Sequence, residues 1–198
     1  MFQFSKPDRD EVNGFLDSAS RQSYSYAEVG ATLGELPGRY LHHDHNRIVV
    51  GRGIEDWETA KRAIREWKMF DLVWCRICWP ETPIEEGRNV AMMASHIGLW
   101  SLNAARIVYT LDEPDRFGFA YGTLADHAEC GEERFSVEID RESGDIHYDL
   151  YSFSRPRHLL ARLGYPYARY LQKQFVVESM QAMLRAVAAE KPTSNHSA

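Results

Sequence analysis

The middle of the chain alternates between apolar and polar residues, and this alternation predicts a sheet. Its two-residue period is that of half-buried strands, and the separators E-T-P-I-E-E-G-R, L-D-E-P-D-R and R-E-S-G-D are typical turn sequences. Short connections between consecutive strands favour an antiparallel meander over strand–helix–strand units. The predicted strands are 47–52, 72–79, 89–95, 99–111, 116–124, 131–140 and 146–153.

Helical periodicity of apolar residues flanks this sheet on both sides. It predicts a short helix over 7–16, capped by Ser5, and a second helix over 56–68. A long helix is predicted over 157–190, with a break or kink near Gly164 and Pro166. Together these elements predict a single α+β domain over 1–190, followed by a disordered polar tail at 191–198.

Composition narrows the possible partners. With 198 residues and a net charge of −6, the chain suits one domain and lacks the basic surface that nucleic acid requires. The first residues do not resemble a signal peptide, so we expect a cytoplasmic protein. The apolar stretch 90–111 contains His96, Asn103 and Arg106, which favours two strands over a membrane span. Oligomeric state is left open.

Two motifs resemble metal sites, and neither is predicted to be one. Cys75 and Cys78 have the spacing of a metal knuckle, but on a strand residues three apart point to opposite faces. The run H-H-D-H at 42–45 is interpreted as a polar turn before the strand at Arg47, because adjacent side chains diverge and no second cluster completes a site. We therefore expect no metal and no cofactor.

The segment 121–135, Y-G-T-L-A-D-H-A-E-C-G-E-E-R-F, concentrates residues capable of acid–base chemistry. Strand alternation places Glu133 on the apolar face with Phe135, and it assigns Arg134 to the wet face, with Glu132 exposed beside it. An inward carboxylate needs a partner, for which Arg106, Arg155, His127 and Tyr121 are candidates. Glu133 could face a pocket, form a structural salt bridge, or return to water through a bulge.

Two neighbouring features have structural explanations. Gly118, Ala120 and Gly122 leave one face of their strand nearly bare, which lets bulky neighbours approach the backbone. In the run S-F-S-R-P, the pair Arg155-Pro156 ends the last strand, and Ser154 is a candidate N-cap for the helix that follows.

With these motifs, the chain resembles the DUF1990, or UPF0548, family of uncharacterised proteins. The matching pieces are Y-A-E-V-G-A-T at 26–32, L-P-G near Pro37, the segment 121–135, S-F-S-R-P at 152–156, and Y-P-Y-A-R-Y-L-Q-K-Q-F at 165–175. In organisation the family is similar to the START-like, or helix-grip (SRPBCC), superfamily, in which a curved antiparallel sheet wraps a long C-terminal helix and short helices close the other end. The resemblance implies a cavity for a hydrophobic or lipid-like molecule.

Ligand binding without catalysis is accordingly the function that we expect first. The predicted ligand-binding residues are Trp100, Arg106, Tyr121, His127, Glu133, Tyr148, Arg155 and Phe175. An alternative is a cyclase, isomerase or hydrolase that uses Glu133 and His127 as acid and base in the same cavity. A third possibility is a protein-association surface, which would give a stable dimer with a closed cavity.

Overall fold

The alternating segments form one antiparallel sheet in the computed structural model, which describes residues 2–34, 38, 42–125, 127, 129–156 and 165–189. Its strands are β1 (Phe2–Gln3), β2 (His42–Arg52), β3 (Cys75–Ile77), β4 (Asn89–His96), β5 (Leu99–Asp112), β6 (Arg116–Thr123), β7 (Glu129–Ile139) and β8 (Asp145–Pro156). The strand order is β2-β8-β7-β6-β5-β4-β3, and β1 pairs with β5. Because β4 to β8 are neighbours in chain order, the predicted meander is confirmed.

The sheet curls around the long C-terminal helix α3 (Tyr165–Ala189), which confirms the predicted helix-grip arrangement. The inner face of the sheet, α3 and the helix α2 (Gly53–Arg65) share the main hydrophobic core. Trp57 and Ile64 of α2 and Met183 and Val187 of α3 contribute to it, with Phe119 among the sheet residues. The second half of α3 is thereby fixed against the sheet, and its first half extends beyond this filled region.

The predicted start of the last helix lies outside the described residues. Pro166 occupies the first turn of α3 as described, where a missing N–H costs little. Residues 157–164, including Gly164, and the predicted tail at 191–198 also lie outside the described part of the chain. Ser154 belongs to β8, where it pairs with His42 and Gly131, so its predicted capping role is not supported by any described contact.

Helix α1 (Arg9–Ser20) covers the outer face of β4 and β5. Val12 and Phe15 pack there against Leu102 and Leu124. The predicted cap at Ser5 is wrong, because the side chain of Asp8 accepts a hydrogen bond from the Glu11 N–H at 2.9 Å and the Glu11 carboxylate accepts one from the Asp8 N–H at 2.8 Å. This reciprocal capping box sets the start of the helix at Arg9.

The motif H-H-D-H forms the start of β2, so the prediction of a polar turn is wrong. Pairing with β8 extends from His42 to Arg52, and the partners of the motif explain the difference. His45 points outward to Asp149, with 2.6 Å between His45 Nε2 and Asp149 Oδ2, while Asp44 points inward and forms an ion pair with Arg169. Among the described residues, no group of three or more His, Cys, Asp or Glu side chains could hold a metal ion.

Cys75 and Cys78 lie on opposite sides of the sheet, as the strand periodicity predicted. Cys75 belongs to the main core and Cys78 packs beside α1. The strand is shorter than predicted, at Cys75–Ile77 instead of 72–79, and a turn of 3-10 helix at Lys68–Phe70 precedes it. No helix in the described ranges is long and apolar enough to cross a membrane.

Candidate functional site

A cavity of about 680 Å³ opens between the inner face of the sheet and the first half of α3. This volume falls within the range of roughly 300–1,000 Å³ that is typical of small-molecule sites. Its wall is largely apolar, with contributions from Phe70, Trp74, Met92, Ala94, Phe175 and Val176. The polar groups of the wall come mainly from β7, β2 and α3, and they set its chemistry.

Glu133 is the most deeply placed carboxylate that points into the cavity. Its Oε2 accepts a hydrogen bond of 2.8 Å from the Tyr121 hydroxyl, and the described residues make no other hydrogen bond to its side chain. Burial raises the pKa of Glu133 to about 7, against the lowering effect of the Tyr121 bond and with a further increase from Asp44. Burial and the neighbouring Glu133 likewise raise the pKa of Tyr121 well above its ordinary value. The pair thus holds one carboxylate oxygen toward the cavity in both protonation states.

His127 also lines the cavity, at the turn that precedes β7. Its Nδ1 accepts a hydrogen bond of 3.0 Å from the Glu129 N–H, so the neutral ring has its proton on Nε2. Burial lowers the pKa of His127 to about 4, which keeps the ring neutral at physiological pH. In this state His127 can donate one hydrogen bond and has no free ring nitrogen to act as a base.

Polar residues at the rim of the cavity surround Glu129. Its carboxylate hydrogen-bonds Ser154 and Gln172, and its Oε2 is buried without a partner among the described residues. Burial raises the pKa of Glu129, and the two hydrogen bonds and Arg169 oppose that increase. Arg169 itself forms a two-pronged ion pair with Asp44. The guanidinium of Arg169 therefore already has a carboxylate partner.

His96, at the end of β4, adds a second neutral ring on the opposite wall. It lies against the ring of Trp74, with 4.2 Å between the centroids, and its Nε2 is buried without a described partner. Burial lowers the pKa of His96, and Glu178 opposes this effect. The indole N–H of Trp74 donates to Glu178 at 2.8 Å, which holds the indole against α3.

Four of the predicted ligand-binding residues line the cavity: Tyr121, His127, Glu133 and Phe175. The other four do not. Tyr148 is fully buried in the filled part of the core, where its hydroxyl bonds Ser179 at 2.8 Å. Arg155 is an exposed residue near the end of β8.

Arg106 and Trp100 are also misplaced by the prediction, since both belong to the outer side of β5. Arg106 donates to the Ala19 carbonyl at the C-terminus of α1 at 3.1 Å and to Asn89 at 2.8 Å. Trp100 has the ammonium group of Lys6 6.0 Å from its ring centroid. Alternation could not assign these positions to the inner or the outer face, because α1 and the N-terminal residues cover the outer face of β5 and leave neither face wet.

The prediction that Glu132 is exposed is wrong. Only 2% of its surface is accessible, and its carboxylate accepts hydrogen bonds from the Tyr26 hydroxyl (2.6 Å), the Gly30 N–H (2.7 Å), the Thr32 N–H (2.9 Å) and the Thr32 hydroxyl. Tyr26, Gly30 and Thr32 all belong to the motif Y-A-E-V-G-A-T. That motif is therefore a cover for Glu132 on the outer face of the sheet.

Arg134 is buried too, contrary to its predicted place on a wet face. It donates to the Thr32 carbonyl at 2.8 Å and to Asp149 at 2.9 Å. Gly122 fits the same cover, because a Cβ at this position would lie 2.1 Å from the Tyr26 hydroxyl oxygen. The bare strand face thus accommodates a bulky neighbour, as the sequence predicted.

Glu129, Arg169, Asp44 and His96 were not predicted as site residues. A signal existed for Glu129, since it lies four positions before Glu133 and shares its face once β7 is extended to its true start. The local sequence contains no comparable signal for Asp44 and Arg169, because these two residues lie 125 positions apart.

Comparisons with known proteins agree with this architecture. Residues 25–182 match the family model described as "Domain of unknown function (DUF1990)". A UPF0548 protein of Dictyostelium discoideum is 35% identical over 96% of this chain and 98% of its own length, and one from Deinococcus radiodurans is 34% identical over 94% and 98%.

Solved structures are similar in fold at much lower identity. A hypothetical protein from Helicobacter pylori has a TM-score of 0.50 and 12% identity, with 78% of this chain and 90% of that one covered. Ara h 8.0201 has a TM-score of 0.50 and 12% identity, covering 75% and 98%. These likenesses concern the fold. Family membership rests on the sequence match, and the chain belongs to the DUF1990 family.

Proposed function

We propose that this protein binds a small, mostly apolar molecule in the cavity between the sheet and α3. The observation that supports this most directly is the cavity itself, about 680 Å³ of space lined largely by apolar side chains. A void of this size lined by Phe70, Met92 and Phe175 loses contact energy that a ligand of matching shape would restore. Glu133, held by Tyr121, is the polar group that would orient the ligand.

A neutral fluorescent probe tests this proposal. N-phenylnaphthylamine should increase in fluorescence when it enters the cavity, and native mass spectrometry of gently purified protein should detect added mass if a cellular ligand is retained. Ala168 lines the cavity on α3, whereas Ala188 on the same helix is exposed. Ala168→Phe should therefore abolish probe binding, and Ala188→Phe should leave it unchanged. Absence of binding to the unmodified protein, or an equal effect of both substitutions, would argue against the proposal.

A second candidate function is acid–base catalysis in the same cavity, favoured by the pKa of about 7 at Glu133. At this pKa both protonation states are populated near neutral pH, which suits a group that takes and returns a proton. His127 would assist as a hydrogen-bond donor through Nε2 rather than as the base that its sequence position suggested.

Exchange of the α-protons of an apolar ketone in D2O, followed by NMR, probes this activity without a known substrate. We expect exchange above the buffer rate in the unmodified protein and buffer-level exchange in Glu133→Gln. Equal rates with and without protein would count against catalysis, while leaving the binding proposal to the probe experiment.

A further inference from the structure

The charges that face the cavity restrict the chemistry of its ligand. Two carboxylates of β7, Glu133 and Glu129, point into it, and each has an oxygen without a hydrogen-bond partner among the described residues. They lie four residues apart on the same face, which corresponds to about 13 Å along a strand. The free oxygen of Glu129 is buried, so Glu133 is the carboxylate that the cavity presents to a ligand.

No cation that the structure describes on the cavity wall forms an ion pair with either carboxylate, although Arg169 lowers the pKa of Glu129. Arg169 is bound by Asp44 and Gln172. Lys173, the other lining cation, is largely exposed on α3. The two lining imidazoles, His96 and His127, are neutral at physiological pH for the reasons given above. The described interior thus offers a surplus of negative charge beside apolar walls.

We propose that the ligand of this cavity is an amphipathic amine, whose protonated nitrogen donates to the free oxygen of Glu133 while its apolar body contacts Phe70, Met92 and Phe175. This rests on the proposed binding function and specifies its ligand class. A charged donor forms a stronger hydrogen bond to a carboxylate than a neutral hydroxyl does, and a ligand carboxylate would be repelled. Tyr121 donates to the second oxygen of Glu133, so the carboxylate is already oriented for one further donor.

Three probes of equal chain length separate these possibilities: octylamine, octanol and octanoate, each displacing N-phenylnaphthylamine from the full chain at about pH 8, where Glu133 is ionised and the amine is protonated. We expect octylamine to displace the probe at a concentration about tenfold below that of octanol, which is the ratio given by a charge-assisted bond in place of a neutral one. Octanoate should be the weakest of the three.

Matched substitutions assign any preference to its residue. Glu133→Gln should weaken octylamine about tenfold and leave octanol unchanged. The control Glu142→Gln, in the exposed turn between β7 and β8, should alter neither ligand. Because the Gln side chain has the same shape, binding of the neutral probe reports whether the variant retains its fold and cavity.

The outcomes distinguish the two proposals. Octanol that competes as well as octylamine, or octanoate that competes best, would overturn the amine assignment while the cavity function stands. A preference for octylamine that persists in Glu133→Gln would overturn the role of this carboxylate. If the neutral probe itself does not bind, the cavity function fails and the amine assignment fails with it.

Discussion

Glu132 and Glu133 are adjacent in the chain, yet they occupy opposite environments. The carboxylate of Glu132 accepts four hydrogen bonds from the segment 26–32 on the outer face of the sheet. That of Glu133 accepts one, from Tyr121, and faces a cavity on the inner face. Since a buried carboxylate is stabilised by its donors, the first is committed to structure and the second retains capacity for another partner. The number of donors, rather than burial, separates the two roles.

Removing the charge of Glu132 should have the largest effect on stability. In Glu132→Gln an amide N–H₂ replaces one acceptor oxygen and faces donors, so we expect the free energy of unfolding to fall by about 3 kcal/mol or more. Urea denaturation followed by tryptophan fluorescence measures the change. Glu133→Gln, the matched substitution on the inner face, should not destabilise the protein at neutral or higher pH. Equal losses in the two variants would contradict the distinction between the faces.

The packing of the segment 26–32 against the outer face of the sheet should have the next largest effect on stability. In Gly122→Ala the new methyl group would lie 2.1 Å from the Tyr26 hydroxyl oxygen, so either this tyrosine or the strand must shift. We expect a loss of about 1–3 kcal/mol in the free energy of unfolding. Gly14→Ala in the exposed side of α1, where a Cβ meets nothing within 4 Å, should have the opposite sign and add about 0.5–1 kcal/mol. An unchanged free energy of unfolding in Gly122→Ala would mean that Tyr26 does not pack closely against the sheet.

The raised pKa of Glu133 should make the stability of the protein depend on pH. Its pKa is about 7 in the folded protein against an ordinary value of 4.5, so between these values the unfolded chain loses the proton that the folded protein retains. Stability from this group is therefore complete below about pH 4.5, falls as the pH rises toward about 7, and is constant above that. We expect Glu133→Gln to lack this decline and to be more stable than the unmodified protein at high pH. Parallel stability curves for the two proteins would contradict the raised pKa.

The smallest effect concerns the hydroxyl that orients Glu133. Tyr121→Phe removes the hydrogen bond that lowers the pKa of Glu133, so the carboxyl should titrate at a higher pH, with a stability change within about 1 kcal/mol. NMR titration of carboxyl-labelled glutamate reports this shift. Tyr148→Phe, which removes the hydroxyl bonded to Ser179, is the control and should leave the titration of Glu133 where it was.

Local sequence patterns were sufficient for the meander of β4 to β8, because a strand's alternation depends only on its own residues and turns, whereas the start of β2 at 42–45 was predicted as a turn. Alternation also put Glu133 on the same face as Phe135, and the structure has both on the inner side of the sheet. What failed were judgements about the outer face: Arg106, Glu132 and Arg134 were assigned as if that face met water or ligand, whereas α1 and the segment 26–32 cover it. Alternation states which residues share a face, and it contains no information on what packs against that face. The rim pair of Asp44 and Arg169 depends on tertiary pairing in the same way.

The bonds between Tyr26 and Glu132 connect positions 106 residues apart. During synthesis the cover leaves the ribosome first and must wait for its acceptor. At a translation rate of 5–20 residues per second this interval is roughly 5–20 s. For that time Tyr26 and Thr32 lack the carboxylate that accepts their hydrogen bonds, so the segment 26–32 completes its contacts only after β7 has been made. A chaperone that binds the nascent chain in this interval would therefore find Tyr26 without its hydrogen-bond acceptor.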